Sequence, residues 1–320
     1  MSSRAVTPEL KTGSKASRQI NVVLRNTAPA VTVDPEVPAP QRSIAGTGPF
    51  ADIMRDLDRM VGLDHVKELI FEIYSLLQVA QYRTEAGLLS NPQVYHMIFK
   101  GNPGTGKTTV ARILAKLFQS MGLLQKGHLV EVERADLVGE YIGHTALKTR
   151  ELIKKAMGGV LFIDEAYSLA RGGEKDFGKE AIDCLVKAME DHRDQFILIL
   201  AGYPEEMEQF LATNPGLPSR FPIHLDFEDY SVDQLLQIAE QMTKEKDYVM
   251  LPLMVAKLKQ HLAEEKGAYW RAFSNARYVR NLLEKAIRHQ AVRLTSQYTS
   301  PPSRQELMTL RPEDLRWNKT

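Results

Sequence analysis

The 320-residue chain has little cysteine, no excess of charge of one sign and no long apolar run. Cys184 is the only cysteine, which excludes an intramolecular disulfide and any zinc cluster or redox pair built from cysteines. No apolar run reaches the roughly 20 residues that span a bilayer, and the N-terminus lacks the hydrophobic segment of a signal peptide. We therefore expect a cytoplasmic protein with no membrane span.

The charges are nearly balanced, with 41 Lys and Arg against 40 Asp and Glu and a formal net charge of +1. Proteins that bind nucleic acid commonly carry a broad basic excess or a basic stripe, and neither stands out in this sequence. A nucleic-acid partner is therefore disfavoured. The proportions of apolar and charged residues, 43% and 25%, are those of an ordinary globular protein with a sizeable core.

The most informative stretch of the chain is GNPGTGKT, residues 101–108, which we call the glycine loop. Its glycines permit positive φ and close backbone approach, so that successive N–H groups can converge on phosphate oxygens. Lys107 would reach the β and γ phosphates of ATP, and the Thr108 hydroxyl would coordinate Mg²⁺. An apolar strand pattern over residues 94–100 precedes the loop, and a helical pattern over residues 109–118 follows it. This order favours a nucleotide site over a merely glycine-rich turn.

A pair of carboxylates, Asp164 and Glu165, follows the apolar run in LFIDEA. Continuous apolar runs are typical of parallel strands buried on both faces, and such a strand would deliver the two acids to the carboxyl edge of the sheet. Asp164 is placed to hold Mg²⁺ through its water shell, and Glu165 to polarise the attacking water. An acidic pair elsewhere would more often be a solvated turn, but here it predicts ATP hydrolysis.

Composition and periodicity divide the chain into three parts. Residues 1–49 are rich in Ser, Thr, Pro and Ala and predict a mobile extension, in which residues 20–24 could add a strand or dock a partner. Residues 50–228 alternate helical and strand patterns, which predict an α/β unit with a parallel sheet covered by helices. Strand signals stop beyond Asp229, so residues 229–320 predict a separate helical unit.

Three stretches together resemble the AAA+ ATPases: GNPGTGKTTVARILAKLF, ADLVGEYIGHTALKTRELIKKAMGGVLFIDEAYSLARGGEKDFGKEAI and ILILAGYPEEM. The resemblance covers residues 52–294 and is strongest to the subgroup that contains a stage V sporulation protein and the red-type rubisco activases. It implies the P-loop AAA+ fold, in which a small helical lid follows the parallel sheet. It also implies an ATPase that assembles into a homo-oligomer, a hexameric ring in this family, and remodels or threads a protein substrate.

The same resemblance implies roles for individual residues in the nucleotide site. The matches to Walker A are Gly101, Asn102, Pro103, Gly104, Thr105, Gly106, Lys107 and Thr108, followed by Thr109. Asp164 and Glu165 match Walker B, while Val61, Gly62 and Leu63 match the segment that packs against adenine.

Two arginines acquire roles only through the resemblance, since each alone would be an ordinary surface residue. Arg220, in SRF, matches the arginine finger that stabilises charge on the transferring phosphoryl group in the neighbouring subunit's site. Arg277, in NAR, matches the sensor 2 arginine, which contacts the γ-phosphate from the same chain. The wider family also has a polar sensor 1 residue after its fourth strand, where this sequence has Ala201-Gly202-Tyr203, and we leave sensor 1 unassigned.

Tyr141, Ile142 and Gly143 lie where the family places the loop that lines the central pore. An aromatic side chain supplies contact area at little cost in rotamer entropy, and glycine lets the loop move, so this pattern suits gripping an extended polypeptide. The alternative is a buried tyrosine beside a turn. Residues 171–178 resemble a second pore loop.

The leading hypothesis is an ATP-driven ring protein that remodels a protein substrate, with an implied role in spore formation and a rubisco-activase-like remodeller as the alternative. Three other classes stay open. A small-molecule kinase would use the same glycine loop, but no acceptor site is visible. A DNA-directed motor would show a basic stripe. A scaffold that binds nucleotide without hydrolysing it is disfavoured because Glu165 and Arg220 occur together.

Overall fold

The structure is a computed structural model that describes residues 49–89, 93–141, 143–171, 177–214, 216–268 and 273–317. The predicted N-terminal extension up to residue 48, including residues 20–24, lies outside the described residues. So do Ile142 of the first predicted pore loop and residues 172–176 of the second. Among the helices within the described ranges, none combines the length and the apolar character needed to cross a membrane.

A five-stranded parallel sheet forms the centre of the fold, as the sequence predicts. Its strands are β1 (Met97–Gly101), β2 (Leu129–Val132), β3 (Val160–Ile163), β4 (Ile197–Gly202) and β5 (Ile223–Phe227). They lie in the order β2-β3-β4-β1-β5, and each neighbouring pair is parallel. Every residue of β3 and β4 is buried, which explains their unbroken apolar sequences.

In the described part of the chain, seven α-helices precede or connect these strands. They are α1 (Pro49–Asp58), α2 (Asp64–Glu85), α3 (Lys107–Ser120), α4 (Arg134–Leu137), α5 (His144–Ala156), α6 (Gly178–Asp191) and α7 (Pro204–Thr213). Because all five strands run the same way, the carboxyl ends of β1, β3 and β4 lie at one edge of the sheet. The segments that follow β1, β3 and β4 therefore lie close together at that edge.

Three longer helices follow the sheet: α8 (Val232–Lys244), α9 (Pro252–Ala268) and α10 (Asn275–Gln297). Their buried apolar residues, among them Leu235, Leu258 and Leu282, form a cluster of their own. The sequence-based prediction that strands stop beyond Asp229 is wrong in one detail, since β6 (Val249–Met250) pairs in parallel with β7 (Thr309–Leu310). Strands of two residues are too short to show a periodicity of two.

The chain from residue 304 to residue 317, which we call the C-terminal strap, contains α11 (Arg304–Met308) and β7. Asp314, only 1% exposed, accepts hydrogen bonds from Arg293 Nε at 2.8 Å and Arg293 Nη2 at 2.9 Å. Lys257 Nζ donates to the carbonyl oxygens of Pro312 and Leu315 at 2.8 and 2.7 Å. The strap is therefore held to α9 by Lys257 and to α10 by Arg293.

Candidate functional site

The glycine loop joins β1 to α3 and has the backbone conformation that its sequence predicts. Gly104 and Gly106 have φ of 72° and 102°, in the left-handed region that side chains disfavour. A Cβ at Gly104 would also overlap the Ser274 carbonyl oxygen, so both the conformation and the close approach require glycine there. α3 begins at Lys107, within the last two residues of the loop, so the N–H groups of its first turn and the positive end of the helix dipole point at the same space.

The Lys107 side chain folds back over the loop. Its Nζ donates to the carbonyl oxygens of Gly101 at 2.7 Å and Asn102 at 2.9 Å. The pKa of Lys107 is lowered to about 8, mainly by burial and to a lesser extent by the nearby Arg277, while the negative charge of Asp164 opposes the shift. The lysine is therefore a cation with few water partners. An anionic ligand would offset the free-energy cost of its desolvation.

Asp164 and Glu165 follow β3 at the carboxyl edge of the sheet, and β4 separates β3 from β1. Asp164 Oδ1 accepts a hydrogen bond from the Glu165 backbone N–H at 3.0 Å. Glu165 has φ of 47°, one of four positive values among the described residues other than glycine. Residues held in such conformations cluster at functional sites, because the surrounding structure must compensate for the strain.

These elements enclose a cavity of about 610 Å³, which we call the central cavity. The residues proposed from the sequence that line it are Val61, Gly101, Pro103, Gly104, Gly106, Lys107, Thr108, Thr109, Asp164, Glu165 and Arg277. Four others, Gly62, Leu63, Asn102 and Thr105, are not part of its lining. The volume and the convergence of Lys107, Arg277 and the N-terminus of α3 fit a nucleoside triphosphate. Thr108 and Asp164 line the same cavity, so their oxygens fit a hard cation such as Mg²⁺.

The segment Val61–Leu63 is a strained turn between α1 and α2. Gly62 and Leu63 both have left-handed φ, 62° and 59°. The buried Lys67 donates from Nζ to the Met60 carbonyl oxygen at 2.7 Å, which closes the turn from the α2 side. The Val61 side chain thereby reaches the central cavity and packs against the apolar cluster of α8 to α10.

The structure adds cavity residues that the sequence did not reveal. α8 and α10 contribute the apolar side chains Ile238, Met242, Leu283 and Ile287 together with the cationic Lys246, just after α8, and Arg280. Helical periodicity predicts the apolar members as core residues. It gives no signal that separates a residue facing another helix from one facing a ligand.

A hydrogen-bonded network, which no sequence pattern predicts, connects the glycine loop to α10. The Asp229 carboxylate accepts from Asn102 Nδ2 at 3.0 and 3.1 Å and from Asn275 Nδ2 at 2.7 Å. The Ala276 backbone N–H donates to the Gly104 carbonyl oxygen at 3.2 Å. The start of α10 is thus bonded directly to the loop that would hold the phosphates.

Tyr203, at the position left unassigned for sensor 1, follows β4 and lines the central cavity. Burial, and to a lesser extent the negative charge of Glu165, raises the pKa of its phenol. Its ring lies 6.0 Å from that of Tyr167. Tyr203 therefore presents a protonated hydroxyl group beside the two carboxylates.

Arg220 lies away from the central cavity of its own chain. It ends a short 3-10 helix, Pro218–Arg220, and lines a second, largely apolar cavity of about 820 Å³. Its guanidinium forms an ion pair with Glu190 of α6. The structure therefore does not bring Arg220 together with Lys107, Glu165 and Arg277.

Tyr141 precedes α5 and is 65% exposed, which removes the alternative of a buried tyrosine. Its ring contacts the His144 ring edge to face, with centroids 5.3 Å apart. Gly143 has φ of 80° and open space around it. Tyr141 is thus a surface residue, and neither it nor Gly143 belongs to the lining of the central cavity.

Comparisons with known proteins agree with this geometry. Residues 97–229 match the ATPase family associated with various cellular activities (AAA), and residues 231–320 match the AAA lid domain. Stage V sporulation protein K of Bacillus subtilis is 54% identical over 94% of both chains. Protein CbbX of Cereibacter sphaeroides is 46% identical, over 83% of this chain and 86% of that protein.

A chloroplastic ribulose bisphosphate carboxylase/oxygenase activase from Cyanidioschyzon merolae is 45% identical, over 82% of this chain and 90% of its own length. Among solved structures, the Thermotoga maritima RuvB Holliday junction branch migration motor matches with a TM-score of 0.53 and 20% identity. The match covers 82% of this chain and 71% of that one. At this identity the likeness concerns the fold alone.

Proposed function

This chain belongs to the AAA family of ATPases, and we propose that it assembles into a hexameric ring that uses ATP to remodel or thread a protein substrate. One observation carries the proposal. Lys107, Asp164, Glu165 and Arg277 line one cavity, whereas Arg220 lies elsewhere on the surface of the same chain. A site of this kind is completed by an arginine from a second copy, and a closed ring supplies one such arginine to every site.

The proposed roles in the central cavity follow from charge and position. The glycine loop N–H groups and Lys107 bind the phosphates, while Thr108 and Asp164 hold Mg²⁺. When bound by these residues, Mg²⁺ would neutralise charge on the phosphate oxygens. Glu165 accepts a proton from the attacking water, and Arg277 contacts the γ-phosphate from the lid side of the cavity.

We also propose the division of labour within the chain. Residues 50–228 form the nucleotide-binding unit, residues 229–320 form the helical lid, and Val61–Leu63 pack against adenine. Support for the last point comes from Val61, which lines the cavity beside the apolar side chains Ile238 and Met242. Purine bases favour such apolar walls, because their faces carry no charge.

The exposed Tyr141 is proposed to face the ring pore and grip the substrate. An exposed aromatic side chain on a turn with open space around Gly143 can contact an extended polypeptide without disturbing the core. Together with Ile142, these residues would transmit movement of the ring to the substrate.

The relationship to stage V sporulation protein K supports a role in spore formation. A rubisco-activase-like remodeller is the second candidate, because two relatives of 45 to 46% identity are CbbX and a rubisco activase. The kinase, DNA-motor and scaffold alternatives have no observation of their own in their favour, since the RuvB likeness concerns the fold alone.

The proposal is tested by measuring ATP hydrolysis by the purified chain alone and with three additives: an unfolded polypeptide, rubisco in its inhibited form, and duplex DNA. We expect stimulation by polypeptide. Reactivation of rubisco would move the function to the second candidate, and stimulation by DNA alone would overturn the proposed substrate class. Light scattering of the Glu165→Gln variant with ATP should give the mass of a hexamer.

A further inference from the structure

The Arg220 guanidinium is held by two groups of its own chain. Its Nε donates to Glu190 Oε1 at 3.1 Å, and its Nη2 donates to the same oxygen. Its Nη1 donates to the Gly216 carbonyl oxygen at 2.6 Å. Described residues thus engage three of the five N–H groups of the guanidinium and leave one N–H on Nη1 and one on Nη2.

The two remaining N–H groups lie on the two terminal nitrogens, the arrangement that binds two oxygens of one phosphate. Glu190 binds the edge of the guanidinium formed by Nε and Nη2, so it does not occupy the edge formed by the two terminal nitrogens, Nη1 and Nη2. The Arg220 side chain is 31% exposed and that of Glu190 is 58% exposed, so the pair lies at the surface, where another molecule can reach it.

Stability of α6 does not explain a carboxylate at position 190. Glu190 lies in the last turn of α6, where the negative end of the helix dipole disfavours an acid. An exposed ion pair also contributes little to folding. The adjacent acid Asp191 makes no hydrogen bond or ion pair with Arg220 in the part of the chain that the structure describes.

We infer that Glu190 is a positioning residue, which holds the Arg220 guanidinium with its two free N–H groups directed at the γ-phosphate in the neighbouring copy. This inference rests on the proposed action of Arg220 in the neighbouring site. A long arginine side chain has many rotamers, and an orientation set before the subunits meet removes most of that disorder from the transition state. The contact uses one carboxylate oxygen, so an amide oxygen at the same position can accept both hydrogen bonds.

The first test compares Glu190→Ala, Glu190→Gln and the matched control Asp191→Ala for kcat and KM of ATP hydrolysis. We expect kcat of Glu190→Ala to fall about tenfold with KM within about twofold, because the interaction acts mainly in the transition state. That loss is smaller than the roughly 10³-fold loss expected for Arg220→Ala. Glu190→Gln should retain most of the kcat, and Asp191→Ala should match the unmodified chain.

The second test asks which subunit carries the defect. In rings mixed from Glu190→Ala and Glu165→Gln subunits, some interfaces combine an intact Glu165 with an Arg220 that its own Glu190 still positions. The mixture should therefore exceed the activity expected from its two components measured separately. A purely structural defect in the Glu190→Ala subunit would not be relieved by its neighbour.

Rings mixed from Arg220→Ala and Glu165→Gln subunits test the proposed function separately. If these recover activity while the Glu190→Ala mixture does not, the inference about Glu190 is overturned and the trans action of Arg220 stands. If neither mixture recovers although mixed rings form, the trans action itself fails. An unchanged kcat in Glu190→Ala would also overturn the inference. So would an increased kcat, because it would mean that Glu190 restrains Arg220. Should Glu190→Ala melt at a lower temperature, Glu190→Lys supplies a second variant, in which repulsion must lower kcat at least as far.

Discussion

Glu165 and Lys107 face the central cavity with opposite charges, and their surroundings act on them in different ways. Glu165 is exposed and has a left-handed backbone with φ of 47°, so its cost is conformational. Lys107 has ordinary helical geometry at the start of α3, but burial lowers its pKa to about 8, so its cost is desolvation. Both residues that carry such a free-energy cost, Glu165 and Lys107, have a role in the proposed chemistry.

Glu165→Gln should retain ATP binding while hydrolysis falls by about two orders of magnitude or more, because it removes the proton acceptor but leaves Lys107, Thr108 and Asp164 in place. Binding of a fluorescent ATP analogue and phosphate release measure the two effects. Glu205→Gln, an exposed acid in the first turn of α7, is the matched control and should hydrolyse ATP normally. Near-normal turnover of Glu165→Gln would show that another group activates the water.

Affinity for ATP should depend on pH through Lys107. The pKa of Lys107 is about 8 in the free protein, and bound phosphates raise it, so ATP binding takes up a proton near pH 8. Affinity is then constant well below pH 8 and falls by up to about tenfold for each pH unit above it. Titration calorimetry in buffers of different ionisation enthalpy measures the uptake. The arginine in the Lys107→Arg variant keeps its proton over this range, so the variant should lose the pH dependence. An equal affinity for ATP at pH 7 and pH 9.5 in the unmodified chain would contradict the assignment of this dependence to Lys107.

At the scale of elements, the C-terminal strap connects α9 and α10, two of the helices that follow the sheet. Gln290 Nε2 on α10 donates to the carbonyl oxygens of Leu307 and Thr309, both at 2.9 Å, and Trp317 stacks on His261 of α9 with centroids 3.8 Å apart. The strap therefore joins α9 to α10 at positions far apart in the chain. Its loss would loosen α10, which contributes Arg277, Arg280 and Leu283 to the wall of the central cavity.

Asp314→Ala should lower the free energy of unfolding by about 3 to 5 kcal/mol, because it leaves the buried Arg293 guanidinium without its main partner. Urea denaturation followed by circular dichroism measures the change. Glu313→Ala is the matched control: its contact with Arg311 spans 3.7 Å at the surface and should contribute less than about 1 kcal/mol. Equal effects of the two substitutions would show that the Asp314 pair does not hold the strap.

At the scale of the whole molecule, the glycine loop and the lid helices are joined by few but direct bonds. Asp229 bridges Asn102 and Asn275, and Ala276 donates to Gly104. A change at the phosphates can therefore move α10 relative to the sheet, and Arg277 and Arg280 on α10 line the same cavity. In a ring, Arg220 would extend that coupling to the next copy.

If Tyr141 grips substrate as proposed, Tyr141→Ala should uncouple hydrolysis from work: ATP turnover continues while remodelling of a bound polypeptide is lost, because the ring is exposed and does not belong to the core. Tyr141→Phe should retain more remodelling, since grip depends on aromatic area more than on the hydroxyl group. Tyr298→Ala, at an exposed tyrosine after α10, is the control. Basal ATPase activity, melting temperature and remodelling are measured on the same preparations. A variant that remodels at full rate would remove Tyr141 from the mechanism.

The amino-acid sequence determined the parts of this protein that depend on neighbouring residues. The glycine loop, the buried strands β3 and β4 and the placement of Asp164 and Glu165 were all predicted, because turn chemistry and apolar periodicity act over a few residues. The parallel sheet was likewise predicted from the order of such segments, and the AAA family from the resemblance of its motifs; both are confirmed.

Tertiary structure alone decided which distant residues meet. Asn102 and Asp229 are 127 positions apart, Arg220 and Glu190 are 30 apart, and β6 pairs with a two-residue strand near the C-terminus. A polar side chain in the sequence does not reveal its partner, because the partner is selected by how packed helices and strands bring surfaces together. The free energy of a hydrogen bond or ion pair exists only in that geometry, so these contacts had to be read from the folded chain.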